Sequence, residues 1–229
     1  MSENHYFELP ALGYGYDALE PAYSAELLEL HYAGHHKAYV EGANKTLEAL
    51  VEARAKRNFG RINQLEGDLA FHVSGHVMHS IFWRNLEPND GAGPNGRLEA
   101  SINLGFGSLD DLQRQFVAAG TSLQGSGWVS LAWETTRGSL IVQQVLDHQD
   151  NTAAASLPLL VMDMWEHAYY LQYRNRKDRW MNAFWELINW NDVRQRFENA
   201  ECADLALDVA AAATPRRSRP TVTPLRREH

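Results

Sequence analysis

Apolar and polar positions run in two rhythms along this chain, a helical one over the first 120 residues and a strand-like one from residue 128. From Ser24, a residue able to cap a helix, SAELLELHYAGHHKAYVEGANKTLEALVEAR carries apolar residues three and four apart, and the next proline is Pro88. The spacing predicts one long helix from about 24 to 55, interrupted near Gly42. RNFGRIN (57–63) reads as a turn. LEGDLAFHVSGHVMHSIFWRNL (65–86) predicts a second helix, apolar on most sides and therefore buried. The breaker-rich EPNDGAGPNG (87–96) marks the clearest boundary. Short helices are expected at about 97–104 and 109–120, the second capped by Ser108 with Asp111 three residues on.

WVSLAWET (128–135) and SLIVQQVL (139–146) then read as strands joined by a hairpin-like TRGS, and LPLLVMD (157–163) as a third, buried strand. Helices at about 166–174, 179–188 and 192–200 close the pattern, and ELPALGYGYDALEP (8–21) reads as an extended arm. The expected fold is α+β: an N-terminal long antiparallel helical hairpin (1–90), then a C-terminal α/β domain (91–204) with a three-stranded antiparallel sheet. Residues 205–229 turn alanine-rich, then Pro/Arg-rich, and are expected to be a disordered tail.

Composition narrows the function. A chain of 229 residues, 45% hydrophobic, holds enough apolar material for a real core. A net charge of −8 argues against nucleic-acid binding, which needs a basic face. No run approaches the ~20 apolar residues of a membrane span. A lone Cys202 rules out an intrachain disulfide, and residues 1–30 lack a charged start followed by an apolar stretch, so no signal peptide and a cytoplasmic location are expected.

The chemistry sits in the histidines, of which there are ten. His31, His35 and Tyr39 are four apart, on one face of the first helix, with His36 pointing about 100° away. His72, His76 and His79 share a face of the second. Either stripe alone could be core polar groups. In DMWEHAYYLQY (163–173), Asp163 and His167 are four apart where a strand runs into a helix. One histidine from each helix joined to Asp163 and His167 gives a three-His, one-carboxylate set, which suits iron or manganese better than zinc. Spacing alone does not choose among the six helix histidines.

LPALGYGYDALEP, HYAGHHKAY, GHVMHSIFW, QGSGW, DMWEHAYYLQY and AFWELINWNDV together resemble the iron/manganese superoxide dismutase family over residues 6–200. GTSLQGSGW and DHQDN bring the likeness nearest to actinobacterial-type members. The resemblance implies disproportionation of superoxide to dioxygen and hydrogen peroxide on one Mn or Fe ion per subunit. It implies metal ligands His31, His79, Asp163 and His167. Tyr39 and His35 would stand at the channel mouth, Arg176 in the funnel, and Trp83, Trp128 and Trp165 around the pocket. Glu166 and Tyr170 would reach the partner of a homodimer, or of a tetramer. His148 is favoured over Gln149 as the side chain beside the metal's solvent, and His36, His72 and His76 are read as structural. Gly75 matches manganese-type members. Met78 departs from the family's usual asparagine and is the sole support for the alternative, a catalytically weak member with a metal-binding or structural role. A ferritin-like di-iron protein fits badly, because no paired Glu-x-x-His motifs are found.

Overall fold

The computed structural model describes residues 6–88, 91–203 and 205, so the bulk of the tail expected at 205–229 lies outside the described residues. Helix α1 is a continuous helical run over 25–56, entered at Ser24, whose hydroxyl accepts from the Leu27 N–H. The interruption expected near Gly42 is instead a wider π-helical turn over Leu30–His36. Such a turn carries one extra residue and brings positions five apart onto one side. His31 and His36 are thus both fully buried, while His35 is left exposed. The sequence expectation that His36 points away from the site's side of the helix therefore fails. Gly42 serves packing: a Cβ there would lie 2.5 Å from the His72 ring.

Helix α2 (Ile62–Arg84) runs back against α1. Helices α3 (Gly96–Phe106) and α4 (Leu109–Ser122) follow, α4 capped as expected by Ser108 accepting from the Asp111 N–H at 3.0 Å. Strands β1 (Gly127–Glu134), β2 (Ser139–Leu146) and β3 (Ser156–Asp163) form one antiparallel sheet in the order β2-β1-β3. Central β1 is buried on both faces for seven of its eight residues. Pro158, which has no N–H to donate, sits in edge strand β3 at a bulge: Leu131 pairs with Leu160 but Ala132 with Pro158. The helix expected over 166–174 is a 3₁₀ turn, Glu166–Ala168, then a single α turn, α5 (Tyr170–Tyr173). Helices α6 (Lys177–Glu186) and α7 (Trp190–Glu201) complete the unit.

Two sets of polar contacts set the hairpin against the C-terminal half, and a third ties down the N-terminal arm. Fully buried Asn85, just past α2, accepts from the Val161 N–H at 3.0 Å and donates to the Leu159 carbonyl at 3.1 Å and to Asp192 at 2.9 Å. At the start of α1, Gln172 accepts from the Ser24 N–H at 2.8 Å and donates to the Pro21 carbonyl at 2.9 Å. Phe7 and Asn44 exchange two hydrogen bonds, and the Tyr14 hydroxyl donates to the Trp83 carbonyl, fixing the extended N-terminal arm across both helices. The first set aligns the end of α2 with β3, and the second aligns α1 with the segment after β3. Between these seams lies one hydrophobic core that spans both halves. Among the described residues, no helix is long and apolar enough to cross a membrane.

Candidate metal centre

The two seams bring four side chains to one point. The Nε2 atoms of His31 (α1), His79 (α2) and His167 lie 3.2, 3.6 and 3.2 Å from Oδ2 of Asp163, the last residue of β3. The ligand atoms of these four residues all lie within 4.8 Å of one another. Donors about 2 Å from a common centre stand roughly 3–3.6 Å apart when adjacent, so the separations fit a single ion. His31, His79 and Asp163 are fully buried.

Hydrogen bonding decides which ring nitrogens are free. Nδ1 of His79 lies 2.6 Å from the Gly75 carbonyl, which only accepts, so Nδ1 carries the proton and Nε2 presents a lone pair. Nδ1 of His31 meets the buried Tyr23 hydroxyl at 2.7 Å, whose oxygen accepts the Nδ1 proton in the tautomer that frees Nε2. Both Nε2 atoms are buried and have no hydrogen-bond partner. Unpaired buried polar atoms are costly. Two bare lone pairs facing one carboxylate oxygen are a cation's donor set. Burial lowers the His31 pKa to about 4, and burial and the neighbouring His31 hold that of His79 well below its ordinary value, so both rings are neutral and able to ligate at pH 7. Burial alone would raise the Asp163 carboxyl, but His167 and His31 outweigh it and hold it well below the usual carboxylate range.

Asp163 is fixed on its other sides. Its Oδ1 accepts from the Trp165 N–H at 2.8 Å, and its carbonyl accepts from Trp180 Nε1 at 2.8 Å. Three tryptophans each pack one histidine. Trp83 lies edge-on to His31 at 4.8 Å, Trp128 edge-on to His79 at 5.0 Å, and Trp165 stacks on His167 at 5.4 Å.

His148 is 2% exposed and stacks on Trp165 at 4.6 Å, with Tyr39 edge-on at 4.5 Å. Trp128 Nε1, a donor only, bonds its Nδ1 at 3.0 Å. Burial lowers its pKa to about 4, so the ring is neutral and the proton sits on Nε2, which has no protein acceptor. Gln149 accepts from the His148 backbone N–H and lines a different cavity. Of this pair, His148 is the one in the wall of the centre.

An opening of about 530 Å³ leads from the surface to the site and is lined by His35, Tyr39, Trp165, Glu166, His167 and Lys177, among others. His35 stacks on His167 at 4.1 Å. Tyr39 packs against Gly75, where a Cβ would lie 2.8 Å from its ring. Burial, then the charges of Asp163 and Asp147, hold the Tyr39 phenol far above its ordinary value. Arg176 is exposed, and its guanidinium is bonded to Asp178 at 2.9 and 2.6 Å. The cation lining the opening is its neighbour Lys177. Glu166 and Tyr170 are exposed on the surface beside the site, Tyr170 by 46%.

Sequence reasoning missed Tyr23, Asn85 and Trp180, which orient the ligand side chains or align the elements that carry them, and it named Gly75 without its carbonyl contact. The i, i+4 step from Gly75 to His79 was a usable signal for that contact. Asn85 and Trp180 act over 76 and 17 residues, and the eight-residue step from Tyr23 to His31 follows no helical period.

Residues 6–87 match the family model for the alpha-hairpin domain of iron/manganese superoxide dismutases, and residues 94–196 match the model for their C-terminal domain. A superoxide dismutase [Mn/Fe] of Propionibacterium freudenreichii subsp. shermanii is 51% identical over 86% of this chain and 99% of its own length. A superoxide dismutase [Fe] of Mycobacterium tuberculosis and a superoxide dismutase [Mn] of Mycolicibacterium smegmatis are each 48% identical over 85% of this chain and 94% of their own.

Proposed function

The chain belongs to the iron/manganese superoxide dismutase family, and from that membership we propose that His31, His79, Asp163 and His167 hold its one Mn or Fe ion. The protein is a superoxide dismutase, converting two superoxide ions and two protons to dioxygen and hydrogen peroxide. The ion, when bound, supplies the one-electron couple that accepts an electron from one superoxide and returns it to the next. The observation that carries the ligand assignment is the convergence of three imidazole Nε2 atoms on one buried carboxylate oxygen.

The residues around that point bind, orient and protonate. Three neutral imidazoles and one carboxylate cancel a single charge of a bound cation, so the centre stays attractive to an anion. The chain's net charge of −8 opposes an anionic substrate at long range, but screening confines that effect to about 8 Å at physiological salt. Lys177 and Glu166, which both line the opening, then set the local field. The Tyr39 phenol keeps its proton at neutral pH, and His148 carries one on Nε2. These two groups are our candidates for orienting substrate and delivering protons to the peroxide half of the reaction. The tryptophans exclude bulk water from the ligands and restrict ring rotation of the histidines.

Exposed Glu166 and Tyr170, flanking His167, support a homodimer in which the two centres adjoin, with a tetramer built from such pairs. The lone cysteine fits a cytoplasmic location. The chain divides into a hairpin unit (1–90) and a C-terminal unit (91–204), and each supplies two ligands.

The test is reconstitution of metal-free protein separately with Mn and with Fe. About one ion per chain and dismutation with at least one metal are expected. Full occupancy by both metals in turn without dismutation would contradict the reading. Glu166→Ala is expected to loosen the dimer, and an unchanged sedimentation profile would count against the interface role.

A further inference from the structure

Met78 immediately precedes His79, and its side chain does not join the four donors. It lines a cavity of about 220 Å³ between α2 and the sheet, with Val77, Ser130, Gln143, His148 and Gln149 among its other walls. Ser130, in the middle of β1, is fully buried, and its hydroxyl has no hydrogen-bond partner. His148 lines this cavity on one side and packs against Tyr39 and Trp165 on the other, so a single ring separates the cavity from the centre. Val77 at the rim is 43% exposed, so the cavity meets solvent.

We propose that Met78 is a methionine oxidation site for hydrogen peroxide and that Ser130 is the donor that receives its sulfoxide. The Met78 sulfur attacks one peroxide oxygen, and the O–O bond breaks. The sulfur gives up two electrons and gains an S–O bond, and the other oxygen leaves as water with both peroxide protons. A thioether is a weak acceptor, whereas a sulfoxide oxygen is a strong one. Oxidation therefore places an acceptor in the same cavity as a buried hydroxyl that lacks one. The inference rests on the dismutase reading only for the source of the peroxide, since the reactivity belongs to the thioether and its cavity.

The other described methionines provide the internal control. Met162, Met164 and Met181 are each 1% exposed against 6% for Met78. Met162 and Met181 close around Gly120, where a Cβ would lie 3.1 and 2.7 Å from their side chains. Peroxide reaches such groups only when the protein opens.

The experiment treats the metal-loaded protein with added hydrogen peroxide, blocks Cys202 by alkylation, and follows each methionine by peptide mass spectrometry. Met78 is expected to gain one oxygen at least about tenfold faster than Met162, Met164 or Met181, because oxidation follows access. Equal rates at all four, or an unmodified Met78 in protein with full dismutase activity, would overturn the inference and leave the dismutase reading standing. Met78→Leu should abolish the fast-reacting peptide while the protein keeps its metal. For Ser130, the oxidised Ser130→Ala protein is expected to melt roughly 2–4 °C further below its unoxidised form than wild type does, the size of one lost hydrogen bond in a chain of this length. An equal drop in both would remove Ser130 from the proposal.

Discussion

Two clusters of buried histidine lie side by side between α1 and α2, and they are wired in opposite ways. In one, His31 and His79 turn partnerless Nε2 atoms toward Asp163. In the other, Trp83 Nε1 donates to His36 Nδ1 at 3.0 Å, and His36 Nε2 meets His76 Nδ1 at 2.9 Å. Burial lowers the His36 pKa to about 3, so the ring is neutral, and because Trp83 only donates, His36 must carry its proton on Nε2 and pass it toward His76. Each ring nitrogen of His36 has a partner. The clusters share residue type and helices, each contains a fully buried ring, and His36 even stacks on His79 at 5.4 Å. What separates a ligand from a structural histidine here is the hydrogen-bond account of each nitrogen. A satisfied pair needs nothing more, whereas lone pairs facing a carboxylate require a cation.

Substitutions that touch one cluster and spare the other sharpen this contrast. The largest effect is expected for Asp163→Ala, which removes the only anionic donor and should weaken metal binding by at least about 100-fold, as read by equilibrium dialysis. Tyr23→Phe removes the partner of His31 Nδ1 and leaves the donor set intact. Its expected cost is about tenfold in metal affinity, the lower end for a group that orients a ligand. His36→Ala should leave metal content unchanged and lower unfolding free energy by about 1–3 kcal/mol, because the Trp83 N–H and a His76 nitrogen lose their partner. Denaturant unfolding of the metal-free protein measures it. Smallest is Trp83→Phe, which deletes the hydrogen bond to His36 but keeps an aromatic ring against His31, and should cost about 1 kcal/mol with metal retained. A loss of metal in either of the last two would merge the clusters and break the comparison.

Tyr39→Phe probes the opening. It is expected to keep one ion per chain and to lower turnover by about tenfold, less than for a sole proton donor, because His148 also carries a proton in the pocket. Abolished metal binding would show that Tyr39 supports the ligands instead.

The difference between the clusters also marks where reading the sequence stops. The strands were legible because short apolar, β-branched runs and the TRGS turn act locally: β2 falls on 139–146, and β1 and β3 within one residue of expectation. The first helix was legible in extent but not in winding. The π turn over Leu30–His36 alters which histidines share a side, and it sets His31 and His36 against Phe82 and Trp83, residues about fifty positions away. Asp163 and His167 could be paired by spacing. The choice of His31 and His79 among six helix histidines came from the family likeness, because it depends on which Nε2 atoms reach Asp163 across the fold. Arg176, placed in the funnel by the family likeness, bonds Asp178 at the start of α6, and the next residue, Lys177, lines the opening.

Metal content of Asp163→Ala and His36→Ala, purified and reconstituted in parallel with wild type, tests the central claim most directly. The account predicts about one ion per chain in wild type and in His36→Ala, and essentially none in Asp163→Ala. Stoichiometric metal in Asp163→Ala, or its loss in His36→Ala, would contradict it.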